Sequence, residues 1–166
     1  MLRRLFPVLA SGALVVAGQA HAQSALRGHN TNAPVDFAAD RIEVQDRADR
    51  AVLVGNVVAR QGDLTLNAAR ITVAYSMAGG VEVNRLDASG GVTVRSPSET
   101  ARGNFGIYDT QRRLITLVGD VSLTRGTNVV RGGRLVLDLT SGRATLDGQG
   151  SGGRVTGRFT VPQRGS

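Results

Sequence analysis

Side chains able to do proton-transfer or metal chemistry are sparse in this chain. Histidine occurs only at His21 and His29. Cysteine is absent, which removes thiolate nucleophiles, zinc–thiolate centres and disulfide staples together. Carboxylates gather at Asp36, Asp40, Glu43, Asp46 and Asp49, and two of them held close could work as a general acid and base. They alternate with apolar positions or sit among turn residues, which is the spacing of a solvated strand face. Gly103-Asn104-Phe105-Gly106 is rich in glycine, but no helical pattern follows it to receive a phosphate. No nucleophile, base and orienting acid stand in a recognisable set. The reading is therefore of a protein that is not an enzyme and has no cofactor and no metal site.

The positive charges are all guanidinium groups: 20 basic residues, no lysine, formal net charge +7. Arginine grips phosphate bidentately, and a pI near 11.4 raises the question of nucleic acid. An aromatic content of 4% leaves few rings on which bases could stack. Nucleic acid is not an expected partner, and most of the arginines read as solvated charge.

What the chain does offer is apolar surface, so the question moves to the elements that carry it. Alternation with period 2 recurs throughout: Val35 and Phe37 around Asp36, Ile42 and Val44 around Glu43, Leu64 and Leu66 around Thr65, Val92 and Val94 around Thr93. This is the mark of half-buried strands. Turn residues separate them at Asp46–Asp49, Gln61–Asp63, Ala78–Gly80, Arg125–Asn128, Ser141-Gly142 and Asp147-Gly148. No helical period is evident after the first 22 residues.

A unit also repeats. A shift of 64 positions, without a gap, superposes Leu53 on Leu117, Gly55 on Gly119, Val57 on Val121, Gly62 on Gly126 and Arg70 on Arg134; a shorter middle copy begins at Gly90-Gly91-Val92. Stacked copies of a short-stranded unit imply an elongated β structure. At Gly55-Asn56 and Gly119-Asp120 the apolar parity changes. A glycine bulge would absorb such a slip and bend the strand, whereas a two-residue hairpin turn would end it. Both readings stand at this level.

The first 22 residues read as a secretory signal peptide: Arg3 and Arg4, an apolar run from Leu5 to Gly18, and the small-x-small site Ala20-His21-Ala22. Removing them lowers the formal charge to +5 and predicts export to the periplasm. Residues 23–33 read as a flexible lead-in, 34–162 as one β domain, and 163–166 as a tail. The final strand is expected at 154–161, at a sheet edge beside Pro162.

Several of these segments resemble the OstA-like superfamily. Val35-Asp36-Phe37-Ala38-Ala39-Asp40 with Ile42-Glu43-Val44 is similar to its opening strand. Leu53-Val54-Gly55-Asn56-Val57-Val58-Ala59-Arg60-Gln61-Gly62 is similar to its central element, and Leu64 to Ile71 to the strand after it. Arg70 stands where an acidic and basic pair is common, and the middle copy is short. The resemblance implies an all-β, twisted open β-jellyroll (a β-taco) of many short antiparallel strands. It further implies a lipopolysaccharide-binding bridge between inner and outer membranes, with acyl chains in a hydrophobic groove. Its partners would be lipopolysaccharide, inner-membrane LptC-like and outer-membrane LptD-like proteins, and further copies joined head to tail through residues 35–44 and 154–161. A short chain with a cleavable signal favours the periplasmic component.

The groove lining expected on this basis is Val35, Phe37, Ile42, Val44, Val52, Val54, Leu64, Leu66, Ile71, Val73, Val92, Val94, Phe105, Ile107, Val121, Leu123, Leu135 and Leu137. Tyr108 is left out because its parity opposes that of Ile107. The alternative is a structural or adhesive β-repeat protein whose apolar faces bury one another and leave no room for a lipid.

Overall fold

The computed structural model describes residues 29–148 and 153–160. The signal peptide, residues 23–28 of the lead-in, the end of the last expected strand and the tail lie outside the described residues.

Among the described residues ten strands form one antiparallel sheet: β1 (Val35–Ala38), β2 (Arg41–Gln45), β3 (Arg50–Gln61), β4 (Leu64–Ser76), β5 (Glu82–Arg95), β6 (Glu99–Asp109), β7 (Leu114–Arg125), β8 (Asn128–Asp138), β9 (Arg143–Asp147) and β10 (Thr156–Arg158). The order is β1-β3-β4-β5-β6-β7-β8-β10, with β2 also on β3 and β9 also on β8. The one helical piece among the described residues is a 3₁₀ turn at Asp46–Ala48. Consecutive long strands meet through short turns such as Gly62-Asp63 and its counterpart Gly126-Thr127, the register running Gln61↔Leu64 and Arg125↔Asn128.

Six long strands change direction midway, and the cause is the parity slip seen in the sequence. Gly55-Asn56 lies inside β3, with φ 81 and 45, and pairing jumps from Val54↔Arg70 to Val57↔Ala68. Gly119-Asp120 does the same inside β7, with φ 82 and 47, between Val118↔Arg134 and Val121↔Gly132. Gly90-Gly91, with φ 80 at both, shifts β5 against β6 between Ser89↔Phe105 and Val92↔Gly103. These are bulges, not hairpin turns. Each inserts an extra residue, bends its strand and adds twist. Glycine is required where neighbouring backbones crowd: a Cβ on Gly90 would stand 2.6 Å from the Ala69 Cβ, and one on Gly55 would stand 2.3 Å from an Asp40 carboxylate oxygen.

The bulges line up across the sheet as a ridge, which divides it into two half-sheets. The first comprises β2, β9 and residues 50–54, 70–76, 82–89, 105–109, 114–118 and 134–138. The second comprises β1, β10 and residues 57–61, 64–68, 92–95, 99–103, 121–125 and 128–132. The halves fold over the ridge so that their inner faces meet in one aliphatic core. At the two ends of the sheet, β1 and β2 on one side and β9 and β10 on the other each pair with one strand only among the described residues.

Candidate functional site

The interior is built almost wholly from aliphatic side chains. Leu53, Ile71, Leu86, Ile115, Leu117, Leu135 and Leu137 project from the first half-sheet and Val57, Val92 and Val121 from the second; all are fully buried. Burying each contributes about 1.5–3 kcal/mol. Near the β5–β6 turn the faces touch: Leu137 of the first half-sheet shares with Val94, Ala101 and Leu123 of the second, and with Ser96 and Glu99 at the turn, a cavity of only about 10 Å³.

The β1/β2 end is different. A cavity of about 360 Å³ opens there, lined by Phe37, Ile42, Val44, Ala51, Leu53, Val73, Met77, Val81 and Val83, with Asp46 and Tyr75 at its rim. Ile42, Val44 and Val81 are 51%, 61% and 70% exposed. Among the described residues no strand besides β3 pairs with β2, so its inward apolar residues face an opening in place of a second sheet face. A second cavity of about 690 Å³ adjoins the first through shared Phe37, Val81 and Val83, and runs under residues 31–35 to Gln61, Thr110, Gln111 and Arg113. Together they form a mouth that is apolar on one side and polar on the other.

A polar hub ties the halves together beside this mouth. Tyr108, on the first half-sheet, donates its hydroxyl to Gln61 Oε1 on the second at 2.6 Å. Gln61 Nε2 donates in turn to the carbonyls of Thr31 (2.9 Å) and Ala33 (3.0 Å). His29 packs its ring beside them, with Nε2 3.4 Å from Gln61 Oε1 and Nδ1 2.9 Å from Asp63. Burial pushes the Tyr108 hydroxyl up to about 12, against a smaller opposing pull from the Arg113 guanidinium. At the rim, desolvation followed by the Asp46 and Asp49 carboxylates raises the pKa of Tyr75. Elsewhere along the lips, buried Glu99 is paired with Arg125.

Of the expected lining, Leu64, Leu66, Ile71, Val73, Val92, Val94, Val121, Leu135 and Leu137 project into the core, and Val35, Phe37 and Leu123 pack at its margin. Ile42 and Val44 face the mouth. Val52, Val54, Phe105 and Ile107 do not join them. Leu53, 1% exposed, points inward, so Val52 and Val54 on either side take the outer face; Val54 is exposed, and Val52 is buried but outside the core cluster. Gly106 and Tyr108 face inward on β6, which turns Phe105, 59% exposed, and Ile107 to the outer face. Tyr108, excluded by parity, is an interior residue at 3% exposure. The flexible lead-in also needs correction over residues 29–33, which Gln61 holds in place.

A single antiparallel sheet, bent along a ridge of bulges and opening from an aliphatic interior onto an apolar mouth, defines an open β-jellyroll. Residues 36–143 match the family described as "LptA/(LptD N-terminal domain) LPS transport protein", and this chain belongs to that family. An uncharacterized protein of Rhizobium meliloti (strain 1021) is 33% identical over 156 residues, covering 87% of this chain and 83% of its own length. The crystal structure of LptH, the LptA homologous periplasmic component of the conserved lipopolysaccharide transport device from Pseudomonas aeruginosa, superposes with a TM-score of 0.71. Its sequence identity is 17%, and the match covers 80% of this chain and 99% of that one. That likeness fixes the fold.

Proposed function

We propose that the protein is a non-enzymatic periplasmic carrier that passes lipopolysaccharide from the inner toward the outer membrane, holding the acyl chains between its half-sheets. The observation that carries this reading is the apolar mouth at the β1/β2 end, which is continuous through Leu53 and Val73 with the aliphatic core. Exposed Ile42, Val44 and Val81 are costly to leave in water, and acyl chains would relieve that cost at about 0.8 kcal/mol per CH₂ buried. Aliphatic walls suit the task because they hold a chain without fixing its position. The interior is packed where the faces touch, so a guest enters by parting the lips that Gln61 and Tyr108 hold together.

The edges of β1, β2, β9 and β10, which have no second partner strand among the described residues, support the partner side of the proposal. Each can add a strand from a neighbouring molecule by β-augmentation. The neighbours would be LptC-like and LptD-like proteins at the two membranes and further copies of this chain. Such a heterologous contact does not close, so short stacks form as concentration rises. Export rests on the signal-like sequence of residues 1–22.

A photo-crosslinking amino acid at Phe37 or Leu66 is expected to capture lipopolysaccharide, and one at Glu43 is not. Capture at Glu43 alone would reject this use of the inner face. The packed contact between the faces gives one point of support to the alternative, a structural β-repeat protein with a closed core. That protein would take up no fluorescent fatty-acyl probe at any concentration.

A further inference from the structure

The outer faces of the two half-sheets differ in charge. On the first, arginines alternate with Glu43, Asp87, Asp109, Asp138 and Asp147, and pairs form within strands: Arg41–Glu43 at 3.3 Å and Arg85–Asp87 at 2.8 Å. The second is different. Its register sets two rows of outward residues side by side across β1, β3 to β8 and β10. One row runs from Asp36 through Arg60 and Arg95 to Arg158, and the next passes through Arg102 and Arg131. The positions between them are mostly threonine and serine. All five arginines are exposed, and none has an ion-pair partner among the described residues. Asp36 is the one carboxylate in these rows, at the edge.

We infer that this arginine and hydroxyl face is a docking surface for the phosphate headgroups of an anionic phospholipid bilayer. The face is a continuous stretch of sheet, so its arginines are spread over a surface and do not converge on a point, which suits a field of headgroups better than a single bound anion. Guanidinium engages phosphate oxygens bidentately, and threonine and serine hydroxyls between the arginines add donors. Unpaired arginines carry no competing intramolecular carboxylate that the lipid would have to displace. The two rows contain no aromatic ring on which a nucleic-acid base could stack. This surface lies outside the folded interior, so its use does not depend on a lipid being held between the half-sheets.

The test is co-sedimentation of the full chain with vesicles of phosphatidylethanolamine and phosphatidylglycerol, set against vesicles of phosphatidylcholine alone. The protein should sediment with the anionic vesicles, release as salt is raised, and ignore the zwitterionic ones. Each arginine removed should weaken binding about fivefold, so the Arg95→Gln, Arg102→Gln, Arg131→Gln triple variant should bind about a hundredfold more weakly. The Arg41→Gln, Arg85→Gln variant, altered on the other face, should bind as the native protein does. All three side chains of the triple variant are exposed, and an unchanged circular-dichroism melt will show that it folds. Equal binding to both vesicle types, or full binding by the triple variant, overturns the inference. So does retention on immobilised polyglutamate or on nucleic acid without vesicle binding, which would give the face to an acidic macromolecule. Loss of fatty-acyl probe uptake with vesicle binding intact would strike the carrier reading and leave this one standing.

Discussion

Asn56 donates its side-chain amide to Asp40 at 2.9 Å across the ridge, and 64 positions later the partners recur with their types exchanged: Asn104 donates to Asp120 at 3.2 Å. Asp40 corresponds to Asn104 and Asn56 to Asp120 under the same shift that superposes the rest of the repeat. The bend is thus the repeated object. Asn and Asp suit it because both tolerate the left-handed backbone found at Asn56 and Asp120, and because an amide facing a carboxylate makes the same bond in either order. Apolar alternation folds the strands, but this pair and its glycine decide where the sheet turns over.

Gly90 gives the clearest test of the ridge. Gly90→Ala places a Cβ 2.6 Å from the Ala69 Cβ on a backbone with φ 80. It should cost about 2–4 kcal/mol, combining overpacking with left-handed strain. Adding Ala69→Gly removes the steric part and leaves the strain, so the double variant should recover a kcal/mol or so relative to Gly90→Ala alone. Urea unfolding of the three variants measures the coupling. Full additivity would mean that the strands do not approach as described.

Gln61 satisfies groups from two distant segments at once, residues 29–33 and β6, so truncating it should be expensive. Gln61→Ala leaves the Tyr108 hydroxyl and the Thr31 and Ala33 carbonyls without this partner, at about 1–3 kcal/mol for a buried group that stays unsatisfied. Amide exchange at residues 29–33 should accelerate in that variant. Unchanged exchange there would show that the segment is held by something else.

Tyr108 predicts a stability loss in alkali. Its hydroxyl is raised from 10.0 to about 12 in the fold, so the folded state holds a proton that the unfolded chain gives up. The resulting stabilisation is complete below about pH 10 and is lost as pH climbs toward 12, in total about 2–3 kcal/mol. Denaturant titrations across that window should fall more steeply for the native protein than for Tyr108→Phe, by close to one proton. Parallel slopes would contradict the burial of this hydroxyl.

Strand parity separates core from surface. Leu53→Ala should cost about 2–5 kcal/mol, because Leu53 is fully buried between both half-sheets. Phe105→Ser, on the outer face, should stay within about 1 kcal/mol. Thermal melts of the pair decide the matter, and a larger loss for Phe105→Ser would reverse the two faces.

The strands, their turns and the repeat were legible in the sequence because period 2 and glycine placement are local signals. The choice between bulge and hairpin was not, since Gly-Asn and Gly-Asp serve both; only pairing on each side of residues 55–56 separates them. Parity failed where apolar residues run continuously, as in Ala51-Val52-Leu53-Val54. The repeat held the missing signal. In the second copy Thr116 interrupts the run and sets Ile115 and Leu117 on the inner face, and a shift of 64 carries that assignment back to Ala51 and Leu53. Phe105 and Tyr108 were misassigned because the inward positions of β6 change parity between Gly103 and Gly106, where two glycines and Asn104 offer no apolar side chain to mark the change. The His29, Gln61 and Tyr108 hub joins residues far apart in the chain, and no pattern within one strand could have announced it.

The central claim is that the space between the half-sheets admits acyl chains. Native mass spectrometry of the protein purified under mild conditions from a Gram-negative host tests it most directly. A population carrying the added mass of a lipopolysaccharide molecule, abolished when charged residues replace Leu53 and Val73 at the inner end of the mouth in a variant that still folds, is the expected result. A protein that emerges at its bare chain mass, and stays there when lipopolysaccharide is supplied in excess, would contradict the account.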